Sequence, residues 1–431
     1  MAASPARKKA VKASEPSVNR TQADKEQMLQ LIERILEECP RRLTTTEDER
    51  RAQDILDQAL QDAGLFTRFQ PFRYNRSLYA NIALHFGLAS IGNVVGHWHP
   101  KLNAMLSGIA STSYWADSSR KGYFLRRFLP WHDSQNLIAV SAAKNHEPRV
   151  RVVLIAHADA AFTGWMFDPE VMRRALHSPL PDNMQFLERV MQVATFSQAA
   201  IAGIDLLREL SPRRKEDKTH VLLRTILSIP ALVVTLANLD VVLRNTVVPG
   251  ANDNLTGCAA LPILAQRLLP TQAEDVEYVF VVAGAEEASL GGSDALARAH
   301  IHKWSQENTV ILGVDTLSNG EIRFIEREGE VQPLNIATRL RHCLQRAAAT
   351  DPRFKNVRGF DMPVGGTDAQ PFMRRGYHAT AISCVDPELG APRNYHHPSD
   401  TLENLDADQL MQTVDFIEAT VREIVREYAK V

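Results

Sequence analysis

The stretch VRVVLIA, residues 150–156, is a short run in which only Arg151 is polar. It is apolar enough to predict a strand that is buried on both faces. Strands of this kind are typical of a parallel sheet whose two faces are covered by helices. Two polar side chains, His157 and Asp159, follow directly after the strand. The same stretch therefore predicts the fold class and also the edge of the sheet at which functional polar side chains lie.

Strands and helices alternate along the rest of the chain. Before residue 150, the spacing of apolar residues predicts helices over about 28–36 and 52–60 and strands at 65–72 and 135–140. After residue 248 it predicts helices at 255–269, 292–299, 334–348 and 406–428 and strands at 276–283, 309–314 and 378–384. This alternation predicts an α/β fold, a three-layer sandwich with a mostly parallel central sheet flanked by helices.

Composition excludes several classes of protein. The chain has 431 residues, 45% of them hydrophobic, which is enough apolar surface for a full core. Its 49 basic and 51 acidic residues give a formal net charge of −2, which argues against an overall basic surface for nucleic acid. The four cysteines form no CxxC pair, so a cysteine–zinc module or a disulfide scaffold is not expected.

The first 26 residues are rich in Ala, Ser, Lys and Pro. They predict a disordered basic tail, because they contain too few large apolar side chains to offset the entropy lost on ordering. No apolar run typical of a secretory signal follows the basic start, so we expect a cytoplasmic protein. Residues 27–431 are expected to form a single domain.

Two apolar helical insertions interrupt this domain, at about 81–130 and 165–247. We expect them to pack together as a cap over or beside the functional site. The alternative is a hairpin that makes a peripheral membrane contact through residues 190–243. The most apolar part, 221–243, contains about 15 consecutive residues without a charge, whereas a spanning helix needs roughly 20.

Acidic side chains follow two other predicted strands. Glu286 and Glu287 come two small residues after the strand at 276–283, and Asp315 directly follows the next strand. In open α/β sheets, functional sites lie outside the carboxyl ends of the strands. Burying carboxylates is costly unless a cation accompanies them. We therefore expect these acids and His157 to share one cation site.

Two loop segments carry further candidate ligands. Asp253 lies in GANDNLTG, residues 250–257, just before a helix, where an isolated Asp is commonly an N-cap. His396 and His397 precede the last helix, where a histidine pair is commonly exposed. Taken together, two histidines and three carboxylates without cysteine suit two catalytic zinc ions bridged by one aspartate. A spare glutamate would then shuttle protons.

Five segments resemble, in order, the motifs of the dizinc exopeptidase family, which includes the bacterial leucyl aminopeptidases and the glutamate carboxypeptidase II type. They are HAD at 157–159, GANDNLTG at 250–257, GAEEASLGGS at 284–293, VD at 314–315 and YHHPSDT at 395–401. The resemblance covers roughly 27–80, 132–164 and 248–431. It implies the zinc peptidase form of the phosphorylase/hydrolase-like fold, with the two apolar segments as insertions.

The resemblance also implies a set of metal ligands for two zinc ions per chain. The bridging ligand would be Asp253, one ion would be completed by His157 and Asp315, and the other by Glu287 and His396. The remaining residues would transfer protons or position the metal ligands. Glu286 would be the general base, Asp159 would orient the imidazole of His157, and His397 would support the ligands from behind. Ala369 stands where the family usually has a histidine near the site.

The implied activity is that of a zinc-dependent exopeptidase. A substrate α-amine bound at zinc would make it an aminopeptidase acting on short peptides. Two alternatives stay open: a glutaminyl cyclase-like acyltransferase with one zinc, and a non-catalytic scaffold on the same fold. The chain departs from the family in the 95 residues between His157 and Asp253, far more than the family's usual connection.

Overall fold

The structure is a computed structural model that describes residues 18–144, 147–177, 189–210 and 218–430. Within these residues, strands of one sheet are β1 (Phe66–Tyr74), β2 (His132–Ser141), β3 (Val150–His157), β4 (Val276–Ala283), β5 (Thr309–Val314), β6 (Glu321–Glu328), β7 (Leu334–Asn335), β8 (Arg358–Asp361) and β9 (His378–Val385). The helices are α1 (Val18–Glu38), α2 (Glu47–Asp62), α3 (Leu78–Val95), α4 (Pro100–Ser118), α5 (Pro169–His177), α6 (Val190–Leu210), α7 (Lys218–Arg244), α8 (Gly257–Leu268), α9 (Gly291–His300), α10 (Thr338–Ala348), α11 (Gln370–Met373) and α12 (Ala407–Tyr428).

The sheet has the strand order β1-β2-β4-β3-β5-β9-β6-β7, with β8 paired to β6. The four central strands β4, β3, β5 and β9 are parallel. β1 and β2 at one edge, and β6 and β7 at the other, run antiparallel to their neighbours in the order. The predicted three-layer α/β class is confirmed, but the parallel arrangement is limited to the centre and the sheet as a whole is mixed.

A short connection explains the antiparallel edge at β6. Only six residues, 315–320, join β5 to β6, whereas a parallel crossover needs a dozen or more. The sequence analysis did not predict β6, because EIRFIERE carries five charges in eight residues. β6 also pairs with Leu334–Asn335, so the helix predicted from residue 334 begins at Thr338 instead. The other predicted strands and helices lie within a few residues of their predicted positions, apart from the start of α1.

Helices cover both faces of the sheet. On one face, α1, α2, α8, α10 and α12 pack on a core that includes Leu154 and Phe280, both fully buried. On the other face, α9 and α11 pack on a second core that includes Val153 and Val281. Neighbouring residues of β3 therefore point into two different cores. This is why 150–156 is apolar without alternation.

Helix α1 begins at Val18, so the predicted disorder is wrong for residues 18–26; residues 1–17 of that tail lie outside the described residues. A buried ion pair holds the added turns. A carboxylate oxygen of Asp24 lies 2.6 Å from a guanidinium nitrogen of Arg267 on α8. Arg267 also reaches Asp415 on α12 at 2.8 Å. Local composition could not predict this helix start, because its partner lies far away in the sequence.

The two apolar insertions pack against each other. α3 and α4 from the first insertion lie beside α6 and α7 from the second, and together they form a four-helix bundle. The Ser111 hydroxyl donates to the Thr195 carbonyl at 2.8 Å, and the Asn93 amide donates to Gln198 at 3.1 Å. At the base of the bundle, Tyr79 in the first turn of α3 contacts His396. The insertions thus form one packed unit, and its base lies at the edge of the sheet that carries the candidate ligands.

Replacing Arg267 by alanine should destabilise the fold by about 3 kcal/mol, because it leaves the buried Asp24 carboxylate without its partner. The matched control is Arg34→Ala, whose guanidinium pairs with Glu38 on an exposed face of α1 and should contribute about 0.5 kcal/mol or less. Urea unfolding followed by circular dichroism measures both. Equal small shifts for the two variants would contradict the role given to Arg267.

Candidate metal centre

Three adjacent parallel strands deliver the first group of candidate ligands to one edge. His157 is the last residue of β3, and Asp315 directly follows β5. Glu286 and Glu287 follow β4, which lies on the other side of β3. All four side chains therefore start from the carboxyl edge of the sheet centre. Because these strands are buried along almost their whole length, the four candidate residues start from the end of a rigid core.

Two loops bring the remaining ligands to the same edge. Asp253 lies in the segment that precedes α8, and the side chain of Asp400 fixes that segment by accepting hydrogen bonds from the backbone N–H groups of Asn252 and Asp253, at 2.8 and 3.0 Å. His396 lies in the loop that joins β9 to α12 and is buried. The structure thus brings together side chains that are up to 239 residues apart, from His157 to His396.

Asp253 stands between the two histidines. Its Oδ1 lies 3.3 Å from Nε2 of His157, and its Oδ2 lies 3.3 Å from Nε2 of His396. Asp315 lies on the His157 side, 3.9 Å from that imidazole, and Glu287 lies on the His396 side at 3.4 Å. The site therefore has two halves that share one carboxylate, and each half contains one imidazole and one further acid.

The hydrogen bond on the far side of His157 sets its tautomer. Nδ1 lies 3.0 Å from the backbone carbonyl of Asp159, which can only accept, so Nδ1 carries the proton and Nε2 keeps its lone pair. The Asp159 carboxylate accepts from the backbone N–H groups of Glu286 and Glu287, at 3.1 and 3.0 Å, and from the Thr44 hydroxyl at 2.7 Å. Asp159 thus positions both glutamates as well as the loop that carries His157.

Sequence reasoning missed the partner of His396. The Tyr79 hydroxyl lies 2.9 Å from Nδ1 of that imidazole, and Phe167 and Tyr395 pack against its ring with centroids 4.6 and 3.8 Å away. No motif marks Tyr79, which lies in the first turn of α3, just before the predicted start of the first insertion. His397 was predicted to support the ligands, but its recorded hydrogen bonds are to Ser399 in its own loop.

Buried negative charge dominates the site. Burial raises the pKa of Asp315 to about 8. His157 lowers this pKa, and the surrounding carboxylates raise it further. Burial also raises the pKa of Glu286 well above its usual range, again opposed by His157. For His396, burial favours the neutral ring, but Glu287 and Asp253 outweigh burial and raise its pKa to about 10. The directions of these shifts reflect burial and the close approach of several carboxylates.

The donor atoms fit a divalent cation. Ligand atoms of His157, Asp253 and Glu287 all lie within 4.8 Å of one another. Among the described residues, the buried oxygens Oδ2 of Asp253 and Oδ1 of Asp315 have no hydrogen-bond partner. Buried carboxylate oxygens that lack a donor and face imidazole nitrogens are typical of a catalytic zinc site.

The loop around Ala369 contributes a carboxylate instead of the expected histidine. Ala369 is fully buried and packs in the core beneath α11. Its neighbour Asp368 is also buried, and Oδ1 of Asp368 has no hydrogen-bond partner within the described residues. Burial raises the pKa of Asp368 to about 6, and the charge of His157 opposes that rise. The loop therefore adds negative charge close to the site.

The sequence of residues 228–421 matches the profile of peptidase family M28. The match covers 194 of the 431 residues, a little less than half of the chain. The matched region contains Asp253, Glu286, Glu287, Asp315 and His396, whereas His157 and Asp159 precede it. The resemblance to zinc exopeptidases predicted from the motifs is therefore confirmed over this region.

Known proteins that are similar to this chain include two aminopeptidases and a glutaminyl cyclase. Aminopeptidase YwaD of Bacillus subtilis is 26% identical over 187 residues, which are 42% of this chain and 39% of YwaD, so the chain matches about two fifths of that relative's length. The zinc aminopeptidase BSAP from Bacillus subtilis is 15% identical, with a TM-score of 0.53 over 93% of this chain and 94% of that one. A glutaminyl cyclase from Fimbriiglobus ruber is 13% identical, with the same TM-score over 96% and 99%. The two structural matches show a shared fold.

Changing Asp159 to asparagine should weaken metal binding about 10- to 100-fold, as is usual when the group that orients a ligand is lost. The amide nitrogen that replaces one carboxylate oxygen cannot accept, so one of the two hydrogen bonds from the backbone N–H groups of Glu286 and Glu287 is lost. Competition for zinc against a chromogenic chelator measures the change. Asp351→Asn is the matched control, since Asp351 also accepts a backbone hydrogen bond, at 2.8 Å, but outside the site. Equal affinity in all three proteins would refute the positioning role.

Proposed function

We propose that this protein is a zinc-dependent aminopeptidase that uses two zinc ions to hydrolyse short peptides from the amino end. The position of Asp253 carries the proposal. Each of its two carboxylate oxygens faces a different buried imidazole at 3.3 Å, which is the arrangement expected of a carboxylate shared by two cations. The similarity to the aminopeptidases YwaD and BSAP supports the choice of reaction.

The two halves of the site assign ligands to each ion. His157 and Asp315 would hold one zinc with Oδ1 of Asp253, and His396 and Glu287 would hold the other with Oδ2. When bound, zinc polarises the scissile carbonyl and lowers the pKa of water towards about 7. The other steps of the reaction would be carried out by side chains of the protein.

Glu286 is the residue we propose as the general base. Its carboxylate lies 3.9 Å from Nε2 of His157, and its side chain is only 11% exposed. Its backbone N–H is fixed by Asp159, so the carboxylate is held over the shared edge of the site. Glu286 would take a proton from the attacking water and return it to the leaving amine. Glu287, its neighbour, faces His396 and is therefore left to the metal.

The bundle base closes one side of the site. Tyr79 and Phe167 lie against His396, and they pack with Phe162 and Val241 in one small apolar cluster. We propose that this wall restricts the space beyond the cleaved residue and so favours short substrates. The α-amine of the substrate would then bind at the metal site, surrounded by carboxylates.

A glutaminyl cyclase reaction is the second candidate, because a cyclase shares the fold over nearly the whole chain. It would require one zinc, whereas the two imidazoles on opposite oxygens of Asp253 favour two. A non-catalytic scaffold would have no reason to retain a complete set of buried acids, which is costly without a cation. Metal content of the purified chain separates the three: near two, one or none per chain.

Substituting Glu286 by glutamine should lower kcat on fluorogenic amino-acid amides by about 10²–10⁴-fold, since a glutamine cannot accept the proton. Zinc content should stay at the wild-type level, because Glu286 is not among the proposed ligands. Mass spectrometry of the metal and steady-state kinetics measure the two quantities on one preparation.

The control is Glu307→Gln, which makes the same chemical change at an exposed position and should leave kcat unchanged. Full turnover by Glu286→Gln would refute the base, and a loss of zinc would mean that Glu286 is a ligand instead. A chelator should abolish wild-type activity, and added zinc should restore it. Peptides blocked at the amino end or at the carboxyl end then separate aminopeptidase from carboxypeptidase action.

A further inference from the structure

The four-helix bundle exposes many large apolar side chains on its outer surface. Among the described residues, twenty of the twenty-seven exposed large apolar side chains lie on α3, α4, α6 and α7 or in the α3–α4 turn, which together are about a fifth of the chain. Soluble monomers rarely expose a contiguous apolar surface of this extent. The apolar surface occurs on all four helices, so it is not a groove shaped for one partner helix.

Inside the bundle, paired polar side chains accompany a small apolar core that includes Phe86 and Ala194. The amide of Asn103 donates to Asp205 at 2.6 Å, and Arg224 lies 3.3 Å from the same carboxylate; all three are buried. Ser90 and Thr235 meet at 3.2 Å between α3 and α7. Internal pairing of polar groups, combined with close packing of small residues, is typical of helices that associate within lipid.

The dimensions of the apolar surface match a bilayer. α3, α6 and α7 are long and apolar enough to cross a membrane, and the most apolar windows of these helices are only 39%, 39% and 33% buried. On α7, exposed apolar side chains continue from Leu222 to Leu243, a rise of about 32 Å at 1.5 Å per residue. The hydrocarbon core of a bilayer is about 30 Å thick.

Exposed hydroxyl groups on α7 are satisfied within the helix. Thr225 donates to the carbonyl of Val221 at 2.8 Å, and Ser228 donates to the carbonyl of Thr225 at 2.8 Å. A hydroxyl facing water needs no such bond, whereas a hydroxyl facing lipid does. The only charged residues between Leu222 and Leu243 are Arg224, which is buried against Asp205, and Asp240, which binds Arg244 near the base.

The far end of the bundle is suited to phospholipid headgroups. Trp98, in the turn between α3 and α4, is 72% exposed, and Lys101 lies in the first turn of α4. The adjoining ends of α6 and α7 contribute the basic residues Arg208 and Lys218. Basic and aromatic side chains at the end of an apolar segment complement anionic phosphates at the membrane interface.

We propose that the bundle crosses a lipid bilayer as two helical hairpins, with the sandwich domain on one side and the α3–α4 turn at the opposite headgroups. Partial insertion would leave the charged far end inside hydrocarbon, which is costly. Tyr79 ties the base of the bundle to His396, so the metal centre lies at the membrane surface. This proposal extends to all four helices the membrane contact through 190–243 that was the alternative to a cap.

Membrane association of the full chain tests the proposal without any measurement of activity. We expect it to float with vesicles of phosphatidylcholine and phosphatidylglycerol, and to stay bound through an alkaline carbonate wash. Ile229→Lys combined with Leu236→Lys, both on exposed positions of α7, should abolish most of the floated fraction. The matched control, Phe66→Lys with Phe69→Lys, changes exposed apolar residues of β1 and should float like wild type.

Depth measurements test the crossing itself. All four native cysteines are buried, so a bimane label on Leu236→Cys, His99→Cys or Phe66→Cys reports one position. Lipids with a quencher deep in the acyl chain should quench the label at 236 most. Headgroup quenchers should act on the label at 99, and neither should act on the label at 66.

Three results would overturn the proposal. One is a full chain that is monodisperse and soluble without detergent. Another is a soluble oligomer formed through the apolar faces, which would mean that a second copy covers them. The third is release of the wild-type chain by carbonate, or quenching of the labels at 236 and 99 by headgroup quenchers alone, which would mean that the bundle lies on the membrane surface.

Discussion

Negative charge buried at the carboxyl edge of the sheet is the constraint on which the rest of this structure depends. Five acidic side chains, Asp253, Glu286, Glu287, Asp315 and Asp368, converge there against two imidazoles. Burial raises the pKa of four of them, so the ionised forms are unfavourable without a compensating cation. A cation bound by the proposed ligands would resolve this conflict, and the same acids would then hold the metal.

The sandwich is organised to keep that charge in place. Its parallel central strands end together, which gives each ligand a rigid starting point. Behind the ligands, Asp159 gathers three donors and Asp400 fixes the loop of Asp253. The buried Arg42 donates to the carbonyls of Ala158 and Pro249, and so joins the His157 and Asp253 loops. The positions of the ligands are thus set by hydrogen bonds that do not themselves involve the metal.

Under the membrane proposal, the helical insertions would determine which substrates can reach the site. Their bundle places apolar side chains outside and polar pairs inside, while Tyr79 connects its base to His396. A site tied to a membrane-embedded bundle would act on substrates at the bilayer surface, a restriction that the sandwich alone does not impose. The proposed chemistry and the proposed location are therefore two separable properties of one chain.

The sequence by itself determined the α/β class, the central strands and the residues proposed as ligands and base. These are local signals: an apolar run followed by polar residues, such as 150–159, identifies a strand and its end. Tertiary structure alone decided that Tyr79 meets His396, that Asp24 meets Arg267, and that β6 forms a strand despite its charges. It also decided which way the insertions face. An apolar helix has the same sequence pattern whether it packs on a core or on lipid, and only the direction of its few polar side chains, set by contacts between distant segments, distinguishes the two.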